Sequence, residues 1–299
     1  YFPTGRREER GRGRAIWGGG ANPNNKVVMD YFQIKTGGIT IDFGNLTDAR
    51  NEVRACGSST RGVWAGGRDP SVTNIIDFVE ITTTANAVDF GDLTVARAAV
   101  AAVSNSTRGC FMAGFTSPNT NHIDFITIAS KGDATDFGDT LGNYQAQGRA
   151  MSPTRGLAAG NYGASNLIEF ITIATTGNST DFGDAIPTNN AVATAAAGNS
   201  TRGVLAGGGD TSITDITYIT YTTKGNTTKF GDLHSANSYA APASDRITLV
   251  TAGGTTPSNP TNRMDAIAIA TGGTSTDFGD LTVSKTGMCG SSNGHGGLG

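Results

Sequence analysis

Asp-Phe-Gly, the tripeptide that holds magnesium in phosphoryl-transfer enzymes, begins here at Asp42, Asp89, Asp136, Asp181 and Asp277, and a sixth copy reads Lys229-Phe230-Gly231. The glycines of the six copies, at 44, 91, 138, 183, 231 and 279, recur every 45 to 48 residues. The phosphoryl transfer that uses this tripeptide needs it beside a Gly-rich loop, a catalytic loop and an ATP lysine, and the chain has none of those three partners. Recurrence at a fixed period marks a structural repeat.

Other residues that could do chemistry are weak candidates. The three histidines, His122, His234 and His295, are scattered with no ligand partner at a recognisable spacing, so no metal and no cofactor is expected. Acids recur once per repeat, at Asp42, Asp89, Asp136, Asp181 and Asp277 and at Asp30, Asp77, Asp124 and Asp265, which is the behaviour of structural parts. A catalytic pair would stand on one or two repeats and be missing from the rest. Three cysteines make no disulfide framework. Cys56 and Cys289 hold equivalent repeat positions and read as small buried residues. Gly18-Gly19-Gly20 is a turn, since no helix follows it to cradle a phosphate.

The elements around the repeated glycine can be read from residues 95 to 141. A small-residue strand, 97 to 103, is followed by a turn and a second strand ending at Gly114. After a polar loop come a third strand at 122 to 129, a turn, and a fourth strand around 136 to 141. The third strand opens 12 residues before the Asp or Lys of the fourth in every copy, which leaves no room for insertion. Four short antiparallel strands make one blade of a β-propeller. The expected fold is all-β: a six-bladed propeller of four-stranded blades over 14–299, with repeats at about 14–48, 49–95, 96–142, 143–188, 189–235 and 236–282. The first repeat lacks a first strand and an orphan strand, 283–291, follows the last, so the C-terminal strand is expected to complete the N-terminal blade and close the ring. Small residues crowd the axis, while phenylalanines such as Phe78, Phe90, Phe125 and Phe137 fill the diverging outer space.

Five arginines, Arg61, Arg108, Arg155, Arg202 and Arg246, recur near the start of second strands. They are expected to hydrogen-bond a carboxylate or carbonyl of a neighbouring blade; the alternative is a basic ring that binds an anion in the axial channel. Loops between second and third strands differ in every repeat and emerge on one face, so binding is sought at Arg68, Asp69, Phe115, Tyr162 and Asp210. The competing reading is that these loops drift unconstrained.

Only 16% of the 299 residues are charged and the net charge is -3, so no nucleic-acid partner is implied. No apolar run is long enough for a membrane span, and no insertion is expected. Segment 1–13 is locally basic, with Arg6, Arg7 and Arg10 near Glu8 and Glu9; it reads as a solvated tail or as a docking segment for a neighbouring subunit. No signal peptide is visible, and a start at Tyr1 rather than Met is expected of a chain from which something upstream was removed or left out.

Small-residue first strands, Gly66-Gly67 after a second strand, aromatic third strands and a basic residue opening the next unit (Arg50, Arg97, Lys285) resemble the kelch repeat over nearly the whole chain. The units differ from it in having Phe on the fourth strand where kelch units have Trp. Ser59-Thr60-Arg61-Gly62-Val63-Trp64-Ala65-Gly66-Gly67, with Ile-Asp-Phe and Asp-Phe-Gly-Asp-Leu-Thr, is similar to repeats of tail-fibre and appendage proteins of marine bacteriophages. That resemblance implies a non-enzymatic virion protein, exposed on the particle surface, joined to other virion proteins by its N-terminal segment and meeting a host glycan or protein through its loops. A secreted or cell-surface lectin-like propeller is the alternative, with a propeller oxidoreductase or hydrolase behind it.

Overall fold

The computed structural model describes residues 13–161, 165–185, 195–208, 213–256 and 259–298. Within them lie six four-stranded antiparallel sheets and a two-stranded ribbon, Thr255–Thr256 with Asn259–Pro260. The sheets are the blades of a propeller. Blade 2 is typical: Arg54–Gly57, Arg61–Ala65, Ile75–Glu80 and Val88–Asp92 pair in that order from axis to rim. The first strands of all six blades form a closed circuit of neighbours around the axis.

Closure is made by Cys289–Ser292, which pairs with Arg14–Gly18 as the innermost strand of blade 1. This strand is shorter than the 283–291 read from sequence. Lys285 is diverted into an ion pair with Asp30, and Gly287 turns the chain at φ 66° before the extended stretch begins. Blade 3 shows the same effect, its first strand being Ala101–Ser104. There Arg97 is diverted to Asp124 and Ala99 sits at φ 52°.

Among the described residues, hydrophobic burial falls into six cores, one between each pair of adjacent blades, and a small seventh cluster of Ala99 and Ala146 with Tyr239 packed against them. Between blades 2 and 3, Phe90, Val63 and Ile76 meet Phe111, Val100 and Ile126. Because each apolar face is covered only by the next blade, the interfaces hold the ring together.

At the rim the repeated glycine has a defined job. The turn between third and fourth strands of each blade lies on the fourth strand of the blade before it. Gly132 N donates to Phe90 O at 2.8 Å, Ala134 N to Asp92 O at 2.7 Å, and Asp92 N to Asp133 Oδ1 at 3.1 Å. Equivalent bonds run around the ring, ending with Thr40 N to Asp280 O between blades 1 and 6. Outer edge strands, which otherwise invite pairing with other chains, are thereby occupied.

An acid within the third strand is buried on five blades, with Thr217 in its place on blade 5. Asp77, Asp124 and Asp30 meet Arg50 at 2.7 Å, Arg97 at 3.0 Å and Lys285 at 2.6 Å, each cation coming from the preceding interblade link. Thr47, Thr94 and Thr282, from the Asn/Asp-Leu-Thr stretch, donate their hydroxyls to the same carboxylates. Among the described residues, blade 4 brings no cation to this position. Glu169 accepts instead from Gln147 Nε2, Ser179 Oγ and Leu141 N. Burial pushes the Glu169 pKa up, against the lowering effect of those three bonds.

A raised folded-state pKa favours the protonated native form, so its benefit is complete below the unfolded-chain value of about 4.3 and is lost as pH rises through the higher folded value. Glu169→Gln removes the buried charge and gives the unpartnered Gln147 Oε1 a donor. The variant is expected to melt above the parent at pH 7 and to lose that advantage by about pH 4. Thermal melts across that range check it; an advantage that persists in acid would refute it.

Candidate functional site

The two faces of the disc differ. One carries the turns joining first to second strands. Here the channel is filled by the segment after the closing strand, a 3-10 turn at Gly296–Leu298. His295 Nε2 lies 2.9 Å from Gly57 O, and its Nδ1 accepts from Gly297 N at 3.2 Å. A Cβ on Gly297 would stand 1.9 Å from Ser104 O, so only glycine fits this plug.

The opposite face carries the second-to-third-strand loops and the interblade links. A well of about 270 Å³ opens there on the axis, lined by Glu52, Arg54, Arg68, Ala99, Phe115, Gln145, Ala146 and Tyr239. Four of these, Glu52, Ala99, Ala146 and Tyr239, hold φ between 52° and 56°, a left-handed conformation that is uncommon for residues with a Cβ. They are equivalent positions at which the links into blades 2, 3, 4 and 6 turn into first strands. Glu52 N donates to Gly287 O, Ala99 N to Glu52 O and Ala146 N to Ala99 O, so the strained residues are strung along the rim of the well. Strain of this kind persists only where surrounding structure enforces it.

The floor is basic. Arg54 and Arg149 project from first strands where the other blades have small or apolar residues: Arg149 stands where they carry Ala55, Ala102, Ala196, Pro242 and Gly290. Arg149, 7% exposed, reaches Cys289 Sγ at 2.6 Å and Gly290 O at 2.7 Å on blade 1. Arg54 makes one hydrogen bond among the described residues, to the neighbouring Val53 O at 3.1 Å. Burial lowers the Arg54 pKa and the charge of Arg149 adds to that lowering, while Cys289, Glu52 and Tyr239 oppose it. On the wall, Glu52 is already paired with Arg68 at 2.5 Å, and the Arg68 guanidinium lies 5.5 Å over the Phe115 ring.

Of the loop residues singled out from sequence, Arg68 and Phe115 are brought together at this well. Asp69 is exposed in its loop, with its N bonded to Ser71 O, and is not among the lining residues. Tyr162 and Asp210, like Arg6, Arg7 and Arg10, lie outside the described residues.

The recurrent arginines are elsewhere. Arg61 Nη1 donates to Ile128 O and Ala129 O of the next blade, Arg108 to Ile173 O, Arg155 to Tyr221 O, and Arg202 to Ile269 O and Ala270 O. Each guanidinium also covers a third-strand ring, Phe78, Phe125, Phe170 or Tyr218, at 4.3 to 4.9 Å. Blade 6 departs from this: the equivalent position is Thr248, opposite Ala268, and Arg246 sits two residues earlier in the turn. Fourth-strand Asp89, Asp136, Asp181 and Asp277 are exposed at the rim; Asp181 and Asp277 accept locally from Gly183 N and Gly279 N.

Arg54, Arg149, Gln147 and Tyr239 were not singled out from sequence. The signal was present in the first strands, where charge interrupts an otherwise small-residue pattern on two blades only. No group of three His, Cys, Asp or Glu side chains comes together as a metal site among the described residues. Fold and site define a class, the six-bladed β-propellers, here with a basic axial well on the loop face and a filled channel on the other. No protein-family model matches the chain, and no curated protein matches it either.

Proposed function

We infer that this propeller is a non-enzymatic structural and recognition component of a phage virion, of the tail-fibre or appendage type, displayed on the particle surface. Its loop face meets the host, and the N-terminal segment with Arg6, Arg7 and Arg10 docks on other virion proteins. The observation that carries this reading is the contrast between faces: regular turns and a plug on one side, individual loops around an open, polar and aromatic well on the other. Wording of the repeats similar to that of marine phage appendages, and close to kelch units, points the same way. A secreted or cell-surface lectin-like propeller is the second reading, favoured by the pairing of Phe115 with Arg68 at the well, since rings beside polar groups suit sugars.

The test is competition. Purified propeller is expected to block adsorption of the particles to host cells, and Phe115→Ala with an unchanged melting temperature is expected to block poorly. Mass spectrometry of purified particles separates the two readings: a particle without this chain removes the virion role and leaves the lectin-like one.

A further inference from the structure

The axial well holds more positive charge than its own carboxylates answer. Arg68 is matched by Glu52 at 2.5 Å. Arg149 is held by a cysteine sulfur and a carbonyl oxygen, neither of them a carboxylate, and Arg54 by one carbonyl. Arg54 at the well and Arg149 behind it therefore have no carboxylate in hydrogen-bond range among the described residues, Glu52 being paired with Arg68, in a chain whose overall charge is -3. Guanidinium is the side chain best shaped to take a carboxylate through parallel N–H donors. Around it stand groups suited to hydroxyls and to an apolar ring face, the Gln145 amide and the Phe115 ring. A volume of about 270 Å³ suits a monosaccharide better than a peptide or an oligonucleotide.

We propose that the loop-face well binds the carboxylate of an acidic sugar, with Arg54 as the main contact and Arg149 as the fixed second charge beneath it. Arg54 lines the well and is not tied to another blade, because its one hydrogen bond is local. Arg149 bridges blade 4 to blade 1 and supplies charge without moving. Pairing with an anion also relieves Arg54, whose charge the buried, basic surroundings disfavour. The proposal rests on the loop face being the receptor-binding face.

Titration calorimetry at low salt with galacturonate, galactose and inorganic phosphate tests it. Galacturonate is expected to bind and galactose to bind far more weakly. Arg54→Met is expected to weaken galacturonate by at least about tenfold, the loss of one charge-assisted contact, with the melting temperature kept. Lys224→Met, on the outer rim over Phe170, serves as a charge-matched control that binds like the parent. Equal binding of galactose, tighter binding of phosphate, no binding of galacturonate, or an unaffected Arg54→Met would each overturn the proposal. Failure here with adsorption still blocked by the propeller sinks the acidic-sugar site alone. Galacturonate binding without any block of adsorption sinks the receptor role and leaves the site.

Discussion

Gly91→Ala is expected to destabilise the propeller by roughly 3–5 kcal/mol, combining a backbone conformation that only glycine adopts easily with overlap against a neighbouring main chain. Gly91 holds φ 145°, and a Cβ there would lie 2.5 Å from the carbonyl carbon and oxygen of Gly132 on the next blade. Neither side can retreat, because Gly132 N is hydrogen-bonded to Phe90 O in the same contact. A companion variant separates the two causes. Gly132 has a similar φ of 147°, but nothing stands within 4 Å of its would-be Cβ. Gly132→Ala is therefore expected to cost the conformational part alone, about 1–3 kcal/mol. Urea denaturation of the pair checks this, and equal losses would show that the close approach of blades is not what requires Gly91. The same approach recurs at Gly44, Gly138, Gly183, Gly231 and Gly279, where the distances to the facing carbonyl oxygen run from 1.9 to 2.7 Å.

Arg97→Met is expected to cost about 3–5 kcal/mol, since it leaves the Asp124 carboxylate buried without its cation. Both side chains are almost fully excluded from water, and Asp124 would keep only the two donors of Thr94. Replacing both partners with apolar side chains removes the stranded charge, so Arg97→Met with Asp124→Leu is expected to recover much of that loss. A double variant no more stable than Arg97→Met would show that the pair does more than neutralise itself. Blade 4 carries a natural version of the single change. There Glu169 is supported by neutral donors and its pKa is raised by burial.

These two sites explain how much of the molecule could be read from the chain. The spacing of Asp-Phe-Gly counted the blades, and the missing first strand of the first repeat located the closure. Both are consequences of pattern, because a strand, a turn and a strand of fixed length leave a periodic trace in any sequence that forms them. Strand limits near Ala99 and Lys285 were misplaced by several residues, since side chains diverted into ion pairs and left-handed links interrupt a stretch that composition alone reads as continuous. The partner of each buried acid was also out of reach. Arg97 and Asp124 are 27 residues apart, and nothing local says that they meet.

The binding site was legible in part. Arg68 and Phe115 stand in loops that differ from blade to blade, and variation against a regular background pointed to them. Arg54 and Arg149 sit inside strands and were passed over, although each breaks the small-residue rule of its strand. Their meaning depends on the ring. Arg149 reaches Cys289 and Gly290 across 140 residues of chain, a contact that exists only because six first strands converge on one axis.

By itself, then, the sequence determined that there are six like units of four strands and that the C-terminal strand closes the ring. The tertiary structure decided what the motif is for and where charge gathers. A repeat records the contacts that every blade makes with the next, and so it can be counted from sequence. An axial well is made by departures from the repeat that lie far apart in the chain, and only closing the ring places them side by side.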